Sequence, residues 1–181
     1  MIIVIWVDDM IISGCKLGSI VCFKSWFGEH FELMDLGKLK YVLSILVEHD
    51  HTNCLIYILQ KSYLKQVLEC FGMSDLHPVS TPLVVGSTLS LSQSPQSEED
   101  VSKYKGFANG IHYLSLVGSL LYAMQTCPDI QYAIGQIAQF SESPGVPHLQ
   151  ATKHILWYLR EILGLKLMLG RYRGNVFNLV G

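Results

Sequence analysis

Apolar and polar positions change rhythm several times along the chain, and each rhythm predicts an element. The first fourteen residues, MIIVIWVDDMIISG, are apolar and largely β-branched except for two adjacent aspartates, Asp8 and Asp9. Residues of this kind favour a pleated strand, so the stretch reads as two short strands joined in a hairpin with the carboxylates at its tip. Neither strand alternates with polar residues, which predicts burial on both faces. Residues 16–31 place Ile20, Phe23, Trp26, Phe27 and Phe31 on one helical face. Residues 41–47 (YVLSILV) and 54–60 (CLIYILQ) read as two strands flanking the polar loop EHDHTN. Tyr63, Leu64, Val67, Leu68 and Phe71 recur at helical spacing up to Gly72, a favoured helix-ending residue.

Past HPVSTPL, which its prolines keep extended, residues 86–103 (GSTLSLSQSPQSEEDVSK) are serine-rich and acidic. That is the composition of a linker, and it divides the chain near residue 95. Leu116, Val117, Leu120, Leu121 and Met124 then form a helical stripe. Pro128 and Asp129 suit the first turn of a further helix running to Phe140. SPGVPH breaks it, and Ala151, Ile155, Leu156, Leu159, Ile162 and Leu163 share the next face. GLKLMLG and VFNLVG predict two terminal strands. The fold class expected from this order is α+β.

Composition narrows the class. Half of the 181 residues are apolar and 15% are charged, a globular balance. Net charge is −2, from 13 Lys+Arg against 15 Asp+Glu, unlike the basic stripe of a free-standing nucleic-acid binder. Cys15, Cys22, Cys54, Cys70 and Cys127 are odd in number and lack CxxC spacing. They read as reduced core thiols of a cytosolic or nuclear protein. No apolar run approaches the roughly 18 residues of a membrane span, and the opening run lacks the basic flank of a secretion signal.

Asp8 and Asp9 are the first candidates for chemistry. Two like charges side by side are costly unless a cation offsets them, and carboxylate oxygens suit Mg²⁺ or Mn²⁺. Aspartate is equally a favoured turn residue, and the residues alone leave both readings open. Glu48, His49, Asp50 and His51 offer ligand types, but one loop with no distant partner falls short of the about four ligands of a structural site. It reads as a solvated turn. His148 and His154 lack the i, i+4 spacing of a helical ligand pair and read as surface or partly packed residues.

Taken together, these stretches resemble a known family. WVDD at residues 6–9 resembles the YxDD box of reverse transcriptases. FELMDLGKLKYVLSILV, LQKSYLKQVLECFGMSDLHPVSTPL, YLSLVGSLLYAMQTCPDIQYAIGQIAQF and HLQATKHILWYL resemble, in order, successive blocks of the Ty1/copia retrotransposon polyprotein. The resemblance implies a partial palm over residues 1–85 (β-hairpin, helix, β-hairpin, helix), in which residues 39–46 form the hairpin that grips the primer end. It implies the linker at 86–103, and a helical thumb- or connection-like segment over 104–181 that stops before an RNase H domain. The family's palm holds two Mg²⁺ or Mn²⁺ ions with three aspartates. The ions activate the primer 3′-hydroxyl and stabilise the leaving pyrophosphate. Asp8 matches the direct ligand and Asp9 the weaker second one. The partners implied are an RNA or DNA template-primer and deoxynucleoside triphosphates, with no membrane.

Departures from the family pattern bear on the same residues. Its Tyr before Val-Asp-Asp is Trp6, its Gly of Leu-Gly-Ile is Ser44, its Arg of Thr-Arg-Pro-Asp is Cys127, and a further Arg is Gln139. GFANGI before His112 reads as an insertion. The family's third catalytic aspartate lies upstream with the fingers, so the chain is expected to be a fragment, inactive alone, with an exposed sheet edge that promotes self-association. The alternatives are a non-enzymatic interaction or nucleic-acid-binding remnant, and half of a split polymerase.

Overall fold

Among residues 1–73 and 77–170, which the computed structural model describes, six α-helices and two antiparallel sheets form the α+β arrangement expected. The chain divides into two compact units at Lys40 and Tyr41.

In the first unit, strands β1 (Ile2–Trp6) and β2 (Asp9–Ser13) pair from Ile2↔Ser13 to Trp6↔Asp9. Helix α1 (Leu17–Gly28) follows, ending before the expected residue 31. Phe23, Phe27 and Phe31 stack in succession along it, with ring centroids 5.7 and 4.6 Å apart. Lys24 pairs with Asp35 at 2.7 Å. No residue of this unit is buried, which corrects the expectation of strands covered on both faces. Ile5 is 65% exposed and Trp6 62%. A two-stranded hairpin and one helix offer too few packing surfaces to cover apolar residues that point in every direction.

The second unit carries a sheet of order β3-β4-β5-β6, made of β3 (Tyr41–Val42), β4 (Ile45–Asp50), β5 (Leu55–Leu59) and β6 (Leu167–Gly170). The run 41–47 is therefore not one strand. It reverses at Leu43 and Ser44, and both residues take positive φ, 47° and 60°. The second expected terminal strand, 176–181, lies outside the described residues. Helix α2 (Lys61–Cys70) matches the periodicity that predicts it.

The stretch expected as a linker is partly structured. A 3₁₀ turn covers Leu91–Gln93, and helix α3 (Glu98–Ala108) begins inside it. The Asp100 amide donates to Ser97 Oγ while the Ser97 amide donates to the Asp100 carboxylate, both at 3.2 Å. This is a capping box, and Glu98, Glu99 and Asp100 face the positive end of the helix dipole. Asn109 and Gly110, at φ 47° and 82°, end α3, so GFANGI is a helix terminus and its cap.

Helices α4 (Tyr113–Ala123), α5 (Gln131–Ala138) and α6 (Val146–Glu161) complete the unit. Their apolar stripes meet that of α2 in one core, where Leu64, Leu116, Leu120, Ile134, Leu149 and Leu156 are fully buried or nearly so. No described helix is long and apolar enough to cross a membrane.

Candidate active site

The carboxylate hairpin closes more tightly than the sequence pattern implies. Because Trp6 pairs directly with Asp9, the loop is only Val7 and Asp8. A two-residue loop that follows strand twist requires positive φ, and Val7 takes φ 51°, a conformation a β-branched residue adopts only when its surroundings impose it. Asp8 thus sits in the loop, while Asp9 is the first residue of β2 rather than part of the tip. Residues directly opposed across a ladder share a face, which places the indole of Trp6 beside the carboxylate of Asp9. Both aspartates are exposed.

Two carboxylates from one hairpin do not make a two-ion centre. Such a centre needs oxygen ligands converging on ions about 3.5–4 Å apart. Among the described residues there is no cluster of three or more His, Cys, Asp or Glu placed to hold a metal. The expected loop at 48–53 is shorter than the sequence implies: Glu48, His49 and Asp50 belong to β4, and the turn at 51–54 is held by Asp50. Asp50 accepts from the Thr52 amide at 3.0 Å, the Asn53 amide at 3.1 Å and the Asn53 side chain at 2.7 Å. These bonds, led by the one from the Asn53 side chain, hold its carboxyl below the usual range. The rings of His49 and His51 stack on each other 5.7 Å apart.

The β3–β4 hairpin lies in the second unit and is held from outside its own strands. The hydroxyl of Tyr122 on α4 donates to the Leu43 carbonyl at the turn. Tyr63 on α2 meets Tyr122 edge-on at 4.8 Å and donates its own hydroxyl to the Ser119 carbonyl at 2.9 Å. Burial raises the Tyr63 phenol above its ordinary pKa, so it stays a donor.

Comparison with known proteins bears directly on these two hairpins. Residues 1–85, which contain both, match the family described as reverse transcriptase (RNA-dependent DNA polymerase). The chain is 38% identical over 170 residues, 93% of its length, to a retrovirus-related Pol polyprotein from transposon TNT 1-94 of Nicotiana tabacum. The chain belongs to the Ty1/copia reverse-transcriptase family. It is also 32% identical, over 86% of its length, to the Pol polyprotein from transposon RE1 of Arabidopsis thaliana. It spans 12% and 10% of those two proteins. An uncharacterized mitochondrial protein of Arabidopsis thaliana is 28% identical over 88% of the chain, and there the match covers 61% of the relative. No solved structure matches.

Within this reverse-transcriptase sequence, the departures fall in different settings. Ser44 stands at φ 60°, which explains why the family's glycine suits that position. Cys127, where the family has arginine, is buried, and burial raises its thiol pKa; Cys15, Cys22, Cys54 and Cys70 are exposed, which corrects the expectation of core thiols. Beside it, Thr126 donates its hydroxyl to the side-chain oxygen of buried Gln60 at 2.9 Å. Gln139 is exposed and donates to the Gly135 carbonyl at 3.2 Å.

Several residues to which the sequence assigns no fastening role prove to be fasteners. His148, expected at or near the surface, is fully buried. Gly145 closes to the Gln93 carbonyl so nearly that an added Cβ would lie 1.9 Å from that oxygen. The Tyr158 hydroxyl donates to Asp129, and burial together with that carboxylate pushes its pKa up. His154 reaches the Thr81 carbonyl at 3.0 Å. Each partner lies many residues away in the chain, so no local pattern reveals it.

Proposed function

We propose that this chain is the catalytic-hairpin half of a copia-type polymerase palm, together with the helical segment that follows it, and that it does not polymerise by itself. On this reading residues 1–85 are partial palm, 86–103 connect, and the segment from 104 onward is thumb- or connection-like. Asp8 and Asp9 are carboxylates of the nucleotidyl-transfer site, and template-primer and deoxynucleoside triphosphate are the substrates. The observation that supports it is the two-residue loop with Val7 in the left-handed region, which puts Asp8 at the tip and Asp9 at the start of β2 on a hairpin whose sequence matches the family. Inactivity of the isolated chain follows from its ligand set, because one hairpin supplies one side of a two-ion centre.

The test is primer extension with the purified 181-residue chain on RNA and DNA templates, in Mg²⁺ and in Mn²⁺. No extension is expected. Extension that Asp8→Asn abolishes would show the chain to be a polymerase alone. Asp8-dependent extension only after adding a polypeptide with the family's upstream palm and fingers would show a split enzyme. A second reading, a retained non-catalytic binding protein, draws on the mitochondrial relative, most of which is matched by this chain. Template-primer binding unaffected by Asp8→Asn, with no extension in trans, would favour it.

A further inference from the structure

The Leu43–Ser44 turn is unfavourable by its own sequence. Both residues have positive φ, yet neither is glycine, asparagine or aspartate, the residues that adopt this conformation readily. The strands it joins are no help, since β3 has two residues, Tyr41 and Val42, which pair with Leu46 and Ile45. Something beyond the hairpin must hold it. The only side-chain hydrogen bond to the turn among the described residues comes from α4, where Tyr122 donates its hydroxyl to the Leu43 carbonyl across 79 residues of sequence. Tyr122 is itself seated. Tyr63 packs edge-on against its ring, and Tyr63 is tied to the Ser119 carbonyl one turn earlier on the same helix.

We propose that Tyr122 is a positioning residue for the β3–β4 hairpin. Its hydroxyl latches the Leu43 carbonyl and fixes the left-handed turn, so that helix α4 sets where the hairpin tip stands. Leu43 is exposed at that tip. If the hairpin contacts the primer end, as the proposed function has it, the latch fixes the surface offered to the primer. That consequence rests on the functional reading, whereas the latch does not.

The experiment measures amide hydrogen exchange by NMR on the full chain. Tyr122→Phe keeps the ring against Tyr63 and removes only the hydroxyl. Exchange at Val42 and Ile45 should quicken about fivefold, the effect of losing one net hydrogen bond. Core amides such as Leu120 and Leu156 should keep their rates. Ser44→Gly supplies a residue at home with positive φ, so adding it to Tyr122→Phe should bring Val42 and Ile45 back to within about twofold of the parent. Ser44→Gly alone should leave the hairpin insensitive to Tyr122. Unchanged exchange in Tyr122→Phe would overturn the proposal, as would loss of protection throughout the core or failure of Ser44→Gly to restore the hairpin. None of these measurements requires polymerase activity, so a failed latch and a failed functional reading give separate results.

Discussion

His148 lies flat on Phe140, with ring centroids 4.0 Å apart and 8° between the planes. Its two nitrogens have opposite roles. Nδ1 accepts the Gly145 amide at 2.8 Å, so the neutral ring carries its proton on Nε2, which donates to the Ser90 carbonyl at 3.1 Å. One imidazole therefore caps α6 and ties down the segment around Ser90. The ring must be neutral to do both, since a second proton removes the acceptor at Nδ1.

Stability should consequently fall in mild acid. Burial, the larger cause, lowers the His148 pKa below its ordinary value of 6.5, against a smaller opposing effect of the Ser90 carbonyl. The unfolded chain then takes the proton first as pH drops. This contribution is full above about pH 6.5 and is lost as pH falls through the lowered folded value, at no more than about 1.4 kcal/mol per pH unit. Urea midpoints at pH 8 and pH 5.5 measure it, and His148→Gln should reduce the difference. An equal difference in both proteins would place the acid sensitivity elsewhere.

Gly145→Ala should destabilise the fold. The new methyl would meet the backbone oxygen of Gln93 rather than a yielding side chain, and overpacking of this kind costs about 1–3 kcal/mol. Gly118→Ala in α4, where an added Cβ meets nothing within 4 Å, should stabilise by about 0.5–1 kcal/mol through helix propensity. Opposite shifts in thermal midpoint are the expected result. A neutral Gly145→Ala would mean that the 86–97 segment yields freely.

Purified chain should self-associate through its first unit. Ile2, Ile5 and Trp6 leave most of their surface uncovered on a short two-stranded sheet whose edges are free to pair. Light scattering should give masses well above 20.3 kDa. Ile5→Lys should move the mass toward that of the monomer while leaving the melting of the helical core unchanged. A monodisperse monomer of the unaltered sequence would contradict this.

Leu156→Ala should cost about 2–5 kcal/mol by denaturant unfolding, the usual range for a fully buried leucine. Val4→Ala, at a position 53% exposed, should stay within about 0.5 kcal/mol. Comparable losses at the two positions would show that β1 is covered in solution.

Helices α2, α4, α5 and α6 were legible because each repeats apolar residues at helical spacing, and their own stripes form the core. The α+β class followed from that order. The exposure of β1 was not legible, because an unbroken apolar run reports what a strand can bury and not whether a partner surface exists to bury it. The reversal at Leu43 and Ser44 was hidden for a different reason. It lacks turn residues, and its support comes from Tyr122, which periodicity marks only as one more residue of α4. His148 was misjudged likewise, since its environment is set by Phe140, Gly145 and Ser90 together. Of the candidate site, the adjacency of Asp8 and Asp9 could be read directly. Their division between loop and strand could not, because it depends on the register Trp6↔Asp9.

No residue before Tyr41 is buried, while the core lies wholly after it. The sequence is therefore open to unequal drift. Substitutions at Leu120 or Leu156 remove the folded protein from the population, whereas Asp8 and Asp9 can change without the core registering it. A copy of such an element that loses its selective use would shed its chemistry first and keep its shape longest, and a surviving aspartate pair in related copies would be a record of continued use rather than of folding.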